Sequence, residues 1–272
     1  MSYRDENRRR WQTVATGWEK YADDIRRDTM PVTSRMLDAL GPQPGHQLLE
    51  IAAGIGDTGF LAAELIQPGG TVITSDLVPE MLSAAQRRAE RLGVHNVRFR
   101  QVDAEVIDQE AASLDGVLCR WGYMLMADPV AALKETRRVL RPGARVALAA
   151  WTGPDENTWS SAPIRELMGR GLLEEPDPTG PGQFAWAEEG AVAEHLEAAG
   201  FVDDEVATVE FTMSYASVAD WWDAGRAMSM RLADATARLD PATVQDVQRA
   251  LAPEGDSPLA IPARTWVAAA AG

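Results

Sequence analysis

The sequence predicts an α/β protein: a doubly wound, mostly parallel seven-stranded sheet with an N-terminal helical cap and C-terminal helical insertions. Three observations carry this. Between residues 48 and 151, apolar runs of strand length alternate with helix-like stretches, the order of successive βαβ units. Those runs are apolar nearly throughout rather than at every second residue, as strands covered on both faces must be. The first of them leads into "EIAAGIGDTG" (50–59), a glycine-rich turn from strand to helix.

Taken in order, residues 8–40 carry Trp11, Trp18, Tyr21, Ile25, Met36, Leu37 and Leu40 at an imperfect helical spacing interrupted at Pro31, which predicts two helices ahead of the sheet. "GPQPG" ends them. Strands are expected at 48–53, 71–76, 97–102, 114–120 and 144–151, with helices near 57–66, 79–92 and 128–140. A Pro- and Gly-rich excursion follows, with a short helix around 160–171. Next comes an amphipathic helix at 191–201 with Gly200 as its stop, and "DEVATVEFTMSY" alternates like a strand. Residues 217–252 read as helical, and "ARTWVAAA" supplies the seventh strand. The resulting division is a cap at 1–44 and a main domain at 45–272, with lid insertions at about 152–186 and 217–258.

Composition narrows the function classes. At 272 residues, 46% hydrophobic and 25% charged, one domain with embellishments and a sizeable core is expected. A net charge of −15 opposes the phosphate neutralisation that DNA or RNA binding requires. Cys119 is the sole cysteine, so neither an internal disulfide nor a thiolate zinc site can form, and no metal site is expected. The N-terminus lacks an apolar stretch of signal type and no run suits a bilayer, so a cytoplasmic protein without a membrane partner is expected. Oligomeric state stays open, a homodimer included.

The glycine loop contains Gly54-x-Gly56-x-x-Gly59, which is also the spacing of a dinucleotide fingerprint. Asp76 ends the next strand, 22 residues after Gly54, where a carboxylate can accept both hydroxyls of a ribose. An NAD enzyme and an adenosyl-binding enzyme would both want that acid. Two features separate them: a cap of about 45 residues precedes the first strand, and neither lysine, Lys20 or Lys134, follows a tyrosine at Tyr-x-x-x-Lys spacing. Gly59 reads as helix packing.

In order along the chain, "LLEIAAGIGDTG", "VITSDLVPEML", "VRFRQVDAE", "LDGVLCRWGYMLM" and "VLRPGARVALAAW" resemble the motifs of class I S-adenosylmethionine-dependent methyltransferases. The nearest kind is the quinone-biosynthesis C-methyltransferase type and its small-molecule relatives. The resemblance covers about 45–151 strongly, the C-terminal strands weakly, and the cap only by position. It implies a Rossmann-like methyltransferase fold with S-adenosyl-L-methionine as cofactor. The loop aligns as Glu50, Ala52, Gly54 and Gly56, with Ala52 in place of the first glycine; the cofactor keeps its place if this position needs no positive φ. Asp76 would hold the ribose hydroxyls, Leu77 would pack on the adenine, Asp103 would accept its amino group, Ala104 would offer its N–H, and Arg120 suits the cofactor's carboxylate.

Ligands of open parallel sheets bind beyond the strands' carboxyl ends, here "RWGYMLM" and "WTGPDENTW". Of nine tryptophans none lies between residues 19 and 120, so an aromatic chamber roofed by the cap and insertions is expected, walled by Trp18, Tyr21, Trp121, Tyr123, Trp151 and Trp159. His46, His95 and His195 read as solvated, and no residue stands out as a catalytic base. The function expected is methyl transfer to a small, largely apolar or aromatic metabolite, of the kind met in secondary metabolism. The alternatives are an NAD-dependent oxidoreductase and a non-catalytic binding protein on the same fold.

Overall fold

The computed structural model describes residues 3–175, 180–252 and 258–272. Parts of both expected lids, 176–179 and 253–257, lie outside the described residues.

Two helices lead the chain, α1 (Tyr3–Lys20) and α2 (Ala22–Leu40). They part at Tyr21 rather than at Pro31, which sits inside α2. An internal proline costs about 3 kcal/mol, but α2 buries Ile25, Val32, Met36, Leu37 and Leu40 against the sheet, and that burial outweighs the lost backbone bond.

Alternation then proceeds through β1 (Gln47–Glu50), α3 (Asp57–Leu65), β2 (Thr71–Asp76), α4 (Pro79–Leu92), β3 (Val97–Gln101), β4 (Leu114–Arg120), α5 (Pro129–Val139) and β5 (Leu140–Trp151). Local chemistry sets several boundaries. Pro79 opens α4 and Gly93, at φ 70°, closes it. Asp128 caps α5 by accepting the Ala131 N–H at 2.9 Å, with Pro129 next in line.

Beyond β5 lie α6 (Thr158–Gly169), α7 (Ala191–Ala198), β6 (Val202–Tyr215), α8 (Val218–Met228), α9 (Met230–Thr236), α10 (Pro241–Leu251) and β7 (Leu259–Ala271). The sheet order is β3-β2-β1-β4-β5-β7-β6. Strands β1 to β5 run parallel, and β7 inserts antiparallel between β5 and β6. Order reverses between β1 and β4, which places a crevice at their carboxyl ends.

The central strands are fully covered: Leu48, Leu49, Val117, Leu118, Val146 and Leu148 are buried. Helix α2 runs down one face, from Thr29 and Thr33 beside Arg120 at the carboxyl end of β4 to Leu40, whose side chain fills the space left by Gly116. At Gly17 a Cβ would lie 1.9 Å from the Ala227 carbonyl oxygen, so glycine lets α1 cross α8 at backbone contact. No described helix is long and apolar enough to cross a membrane.

Candidate functional site

The loop between β1 and α3 is bent by three successive left-handed residues at alternate positions: Ala52 (φ 51°), Gly54 (φ 56°) and Gly56 (φ 85°). The position of Ala52 therefore does take positive φ, and alanine adopts it at a cost of about 1 kcal/mol. Hydrogen bonds hold it there. The Ala53 N–H donates to the Ser75 carbonyl at 2.9 Å and the Gly54 N–H to Asp76 Oδ2 at 2.8 Å.

Asp76 ends β2 and accepts a second bond, at its Oδ1, from the Val78 N–H at 2.9 Å. Burial raises its pKa above the ordinary range although backbone bonds from Val78, Gly54 and Leu77 pull the other way. Asp103 stands two residues past Gln101, the register partner of Asp76, so both acids lie at the carboxyl end of this part of the sheet. Its carboxylate pairs with Arg4 of α1 at 3.2 Å, and Arg4 also bonds Glu105. Ala104 is buried, and Leu77 is half-buried between the two acids in sequence.

Glu50 is 2% exposed at the end of β1. Its Oε1 accepts the Gly59 N–H at 2.8 Å, whereas Oε2 has no hydrogen-bond partner. A Cβ on Gly59 would fall 2.2 Å from Oε2, so Gly59 is glycine to seat this carboxyl. Burial pushes the group up to about 8. Next to it, Asp57 opens α3 and binds the buried Arg88 at 2.8 Å, while Arg88 also reaches Asp23 of α2 at 2.8 Å.

Arg120 closes the site from β4. Its guanidinium bonds the hydroxyls of Thr29 and Thr33 and lies 4.8 Å over the Trp121 ring. Burial lowers its pKa, against the pull of Asp57 and Glu50. Among the described residues no carboxylate reaches salt-bridge distance of Arg120. After it, Trp121 takes φ 61°, rare for a bulky residue, fixed by bonds from its N–H to the Ala149 carbonyl and from Nε1 to Thr265 Oγ1, both 2.9 Å. Gly122 then packs on the loop: a Cβ there would sit 2.6 Å from that of Ala52.

The aromatic residues do not form the single chamber expected. Trp121 stacks on Trp151 at 4.2 Å, with Trp159 at 5.2 Å and Phe211 at 5.9 Å from Trp151. Tyr21 lies apart on a cavity under α8, and Trp18 donates from Nε1 to the Met228 carbonyl at the α1–α8 seam. Tyr123 is core, not wall: a short 3-10 turn directs it inward, its hydroxyl pairs with Thr136 at 2.7 Å, and its ring stacks on Trp186. His195 is not solvated either, since its ring packs 4.3 Å from Trp186 and Nδ1 meets the Ala191 carbonyl. Phe211, Thr265 and the buried Asn157, which ties the start of the first insertion to Arg264 of β7, escaped the sequence reading. Cys119 is buried and pushed up to about 12, which makes it an inert thiol.

The model of the ubiE/COQ5 methyltransferase family matches residues 31–162, a segment that contains the loop, both acids and Arg120. Over that segment, just under half of its length, the chain is similar to this methyltransferase family. Nocamycin O-methyltransferase of Saccharothrix syringae is 33% identical over 64% of this chain and 65% of its own. The ubiquinone/menaquinone biosynthesis C-methyltransferase UbiE of Cellvibrio japonicus is 31% identical over 46% of this chain and 51% of its own. The chain thus spans between about a third and just under two thirds of the length of the curated relatives it matches. Among solved structures, phosphoethanolamine N-methyltransferase 2 of Haemonchus contortus in complex with S-adenosyl-L-methionine has a TM-score of 0.61 at 18% identity, covering 100% of this chain and 60% of that one. At that identity the likeness speaks for the fold, which is that of the methyltransferase members.

Proposed function

We propose that this protein transfers the methyl group of S-adenosylmethionine to a small, largely apolar or aromatic molecule. The observation that carries the reading is the convergence, at the crevice between β1 and β4, of a left-handed loop, the buried acid Asp76 and a guanidinium without a carboxylate partner. Each fits one part of the cofactor. Asp76 accepts from ribose hydroxyls, Asp103 and the Ala104 N–H meet the adenine edge with Leu77 beside its face, and Arg120 receives the carboxylate. Glu50, Ala52, Gly54 and Gly56 shape the loop that admits it.

When bound, the cofactor supplies an electrophilic methyl on a sulfonium. The residues of this chain then have three tasks: to hold the acceptor in line, to keep water out, and to leave a path for the proton the acceptor loses. The packed Trp121, Trp151, Trp159 and Phe211 give a dry wall beyond β4 and β5, suited to the first two. No histidine lies at the crevice, so the acceptor's proton leaves to water or to a carboxylate rather than to an imidazole. Two further expectations belong to this reading: residues 1–44 act as a cap, and the insertions at about 152–186 and 217–258 act as lids over the acceptor.

The test is incubation with methyl-labelled S-adenosylmethionine and a panel of phenols, indoles and amines, read by mass spectrometry. Label transfer to one class, lost in Asp76→Ala, supports the reading. Cofactor binding without transfer to any class moves the non-catalytic alternative forward, and protection by NADH instead would favour the oxidoreductase.

A further inference from the structure

Beyond the aromatic stack the structure holds a cavity of about 580 Å3, bounded by α2, the end of β6, α8 and the start of β7. It lies past the carboxyl end of β5, because Trp151 pairs with Thr265 and the cavity is lined by β7 residues Leu259 and Ala260 further along. Phe211, Met213 and Tyr215 are buried on one face of β6. That face runs from the ring packed on Trp151 to the cavity wall, which places the cavity four residues along β6 from the aromatic stack.

Its lining has a particular chemistry. Ile25, Met213, Met228 and Leu259 provide the apolar part. Tyr215 is 9% exposed, and its hydroxyl has no hydrogen-bond partner among the described residues. Asp24, Asp28 and Asp220 also line it, against the single guanidinium of Arg27. Arg27 binds Asp24 at 2.7 Å and Asp28 at 2.8 Å, and Asp28 takes its other bond from the Ser214 N–H at 2.7 Å. Lys20 stands just outside, on the Tyr21 hydroxyl at 3.1 Å, so even with its charge counted the region keeps a negative excess.

We propose that this cavity binds the methyl acceptor and that the acceptor carries a basic nitrogen on an apolar body, the cation being held by Tyr215, Asp28 and Asp220. The proposal rests on the methyl-transfer reading only for calling the molecule an acceptor; the cavity and its preference stand on their own residues. A buried phenol with unengaged oxygen lone pairs accepts from an ammonium N–H, and the electron-rich ring of Tyr215 attracts the same charge, as the Tyr21 ring already does for Lys20 at 4.6 Å. Burial, with Asp28 and Asp220 adding to it, raises the Tyr215 pKa above the ordinary value, so the phenol stays neutral and the carboxylate field favours a cation. An anion entering here would face that field without compensation. The nitrogen is an anchor, and the nucleophile is a separate atom nearer the crevice, because a protonated nitrogen has no lone pair to give.

The experiment uses the full chain and three matched probes, tryptamine, tryptophol and indole-3-acetate, titrated by calorimetry with and without saturating S-adenosylhomocysteine. Tryptamine is expected to bind about tenfold or more tighter than indole-3-acetate, with tryptophol between. Tyr215→Phe and Asp220→Asn are each expected to weaken tryptamine, and Asp220→Asn to shrink its advantage over the acid, while both leave S-adenosylhomocysteine affinity unchanged. Equal affinity for the three probes, tighter binding of the acid, no binding at millimolar concentration, or indifference to both substitutions would overturn the proposal. Amine selectivity in a protein that does not bind S-adenosylhomocysteine would uphold the cavity and sink the cofactor reading, so the two failures are told apart.

Discussion

Glu50 offers a prediction whose size follows from its surroundings. The carboxyl is 2% exposed, keeps one bond from the Gly59 N–H and has a partnerless Oε2. Burial moves its pKa from 4.5 to about 8. The folded state therefore holds the proton more tightly than the unfolded chain, so the associated stability is full below the unfolded value and falls as pH rises through the folded one. The complete shift corresponds to roughly 5 kcal/mol, of which about 3 kcal/mol is already lost at pH 7. Glu50→Gln keeps the shape and the acceptor but cannot ionise. Urea unfolding of both proteins at fixed ionic strength should give nearly equal stabilities at pH 4.5. The variant should then lead by about 3 kcal/mol at pH 7 and by more at pH 9, with the gap levelling above the folded pKa. A gap that stays constant from pH 5 to pH 9 would show that Glu50 is not held neutral, and with it the picture of a dry β1 terminus would fail.

Three further predictions concern buried contacts. Gly59→Ala puts a methyl 2.2 Å from Glu50 Oε2 and should destabilise by about 1–3 kcal/mol; a thermal melt unchanged from wild type would contradict the contact. Gly17→Ala should force α1 off α8, where the Ala227 carbonyl oxygen lies 1.9 Å from the new atom, and should raise amide exchange in residues 3–20 more than in the sheet. Arg88→Met leaves Asp57 buried without a cation and should cost about 3–5 kcal/mol, most of it recovered when Asp57→Leu is added; equal losses in the single and double variants would refute the pairing.

The sheet was legible because its strands are bounded by turn residues and separated by amphipathic helices, signals that local periodicity carries. Asp76 could be singled out from its place at the end of a strand, and Asp103 only through the family resemblance. What escaped depends on distance in the chain. Arg88 is an ordinary helix arginine until the fold brings Asp57 and Asp23 to it, and Asn157 is one polar residue of a Pro- and Gly-rich excursion until β7 comes beside it. Phe211 was one apolar residue of a strand, and only its packing on Trp151 gives it a place near the crevice. Tyr123 lies in the segment after β4, where a wall is expected, yet the turn at Tyr123–Leu125 sends its ring inward onto Thr136 and Trp186. Pro31 misled for another reason: a local helix penalty says nothing of the apolar face that α2 buries over the rest of its length.

The central claim, that the crevice between β1 and β4 holds S-adenosylmethionine through Asp76, is tested most directly by calorimetric titration with S-adenosylhomocysteine and, separately, NAD. The account predicts that S-adenosylhomocysteine binds, that NAD does not, and that Asp76→Ala weakens binding by roughly 1.5–3 kcal/mol, the scale of hydrogen bonds to a charged group. Binding of NAD, or affinity for S-adenosylhomocysteine that Asp76→Ala leaves unchanged, would contradict it.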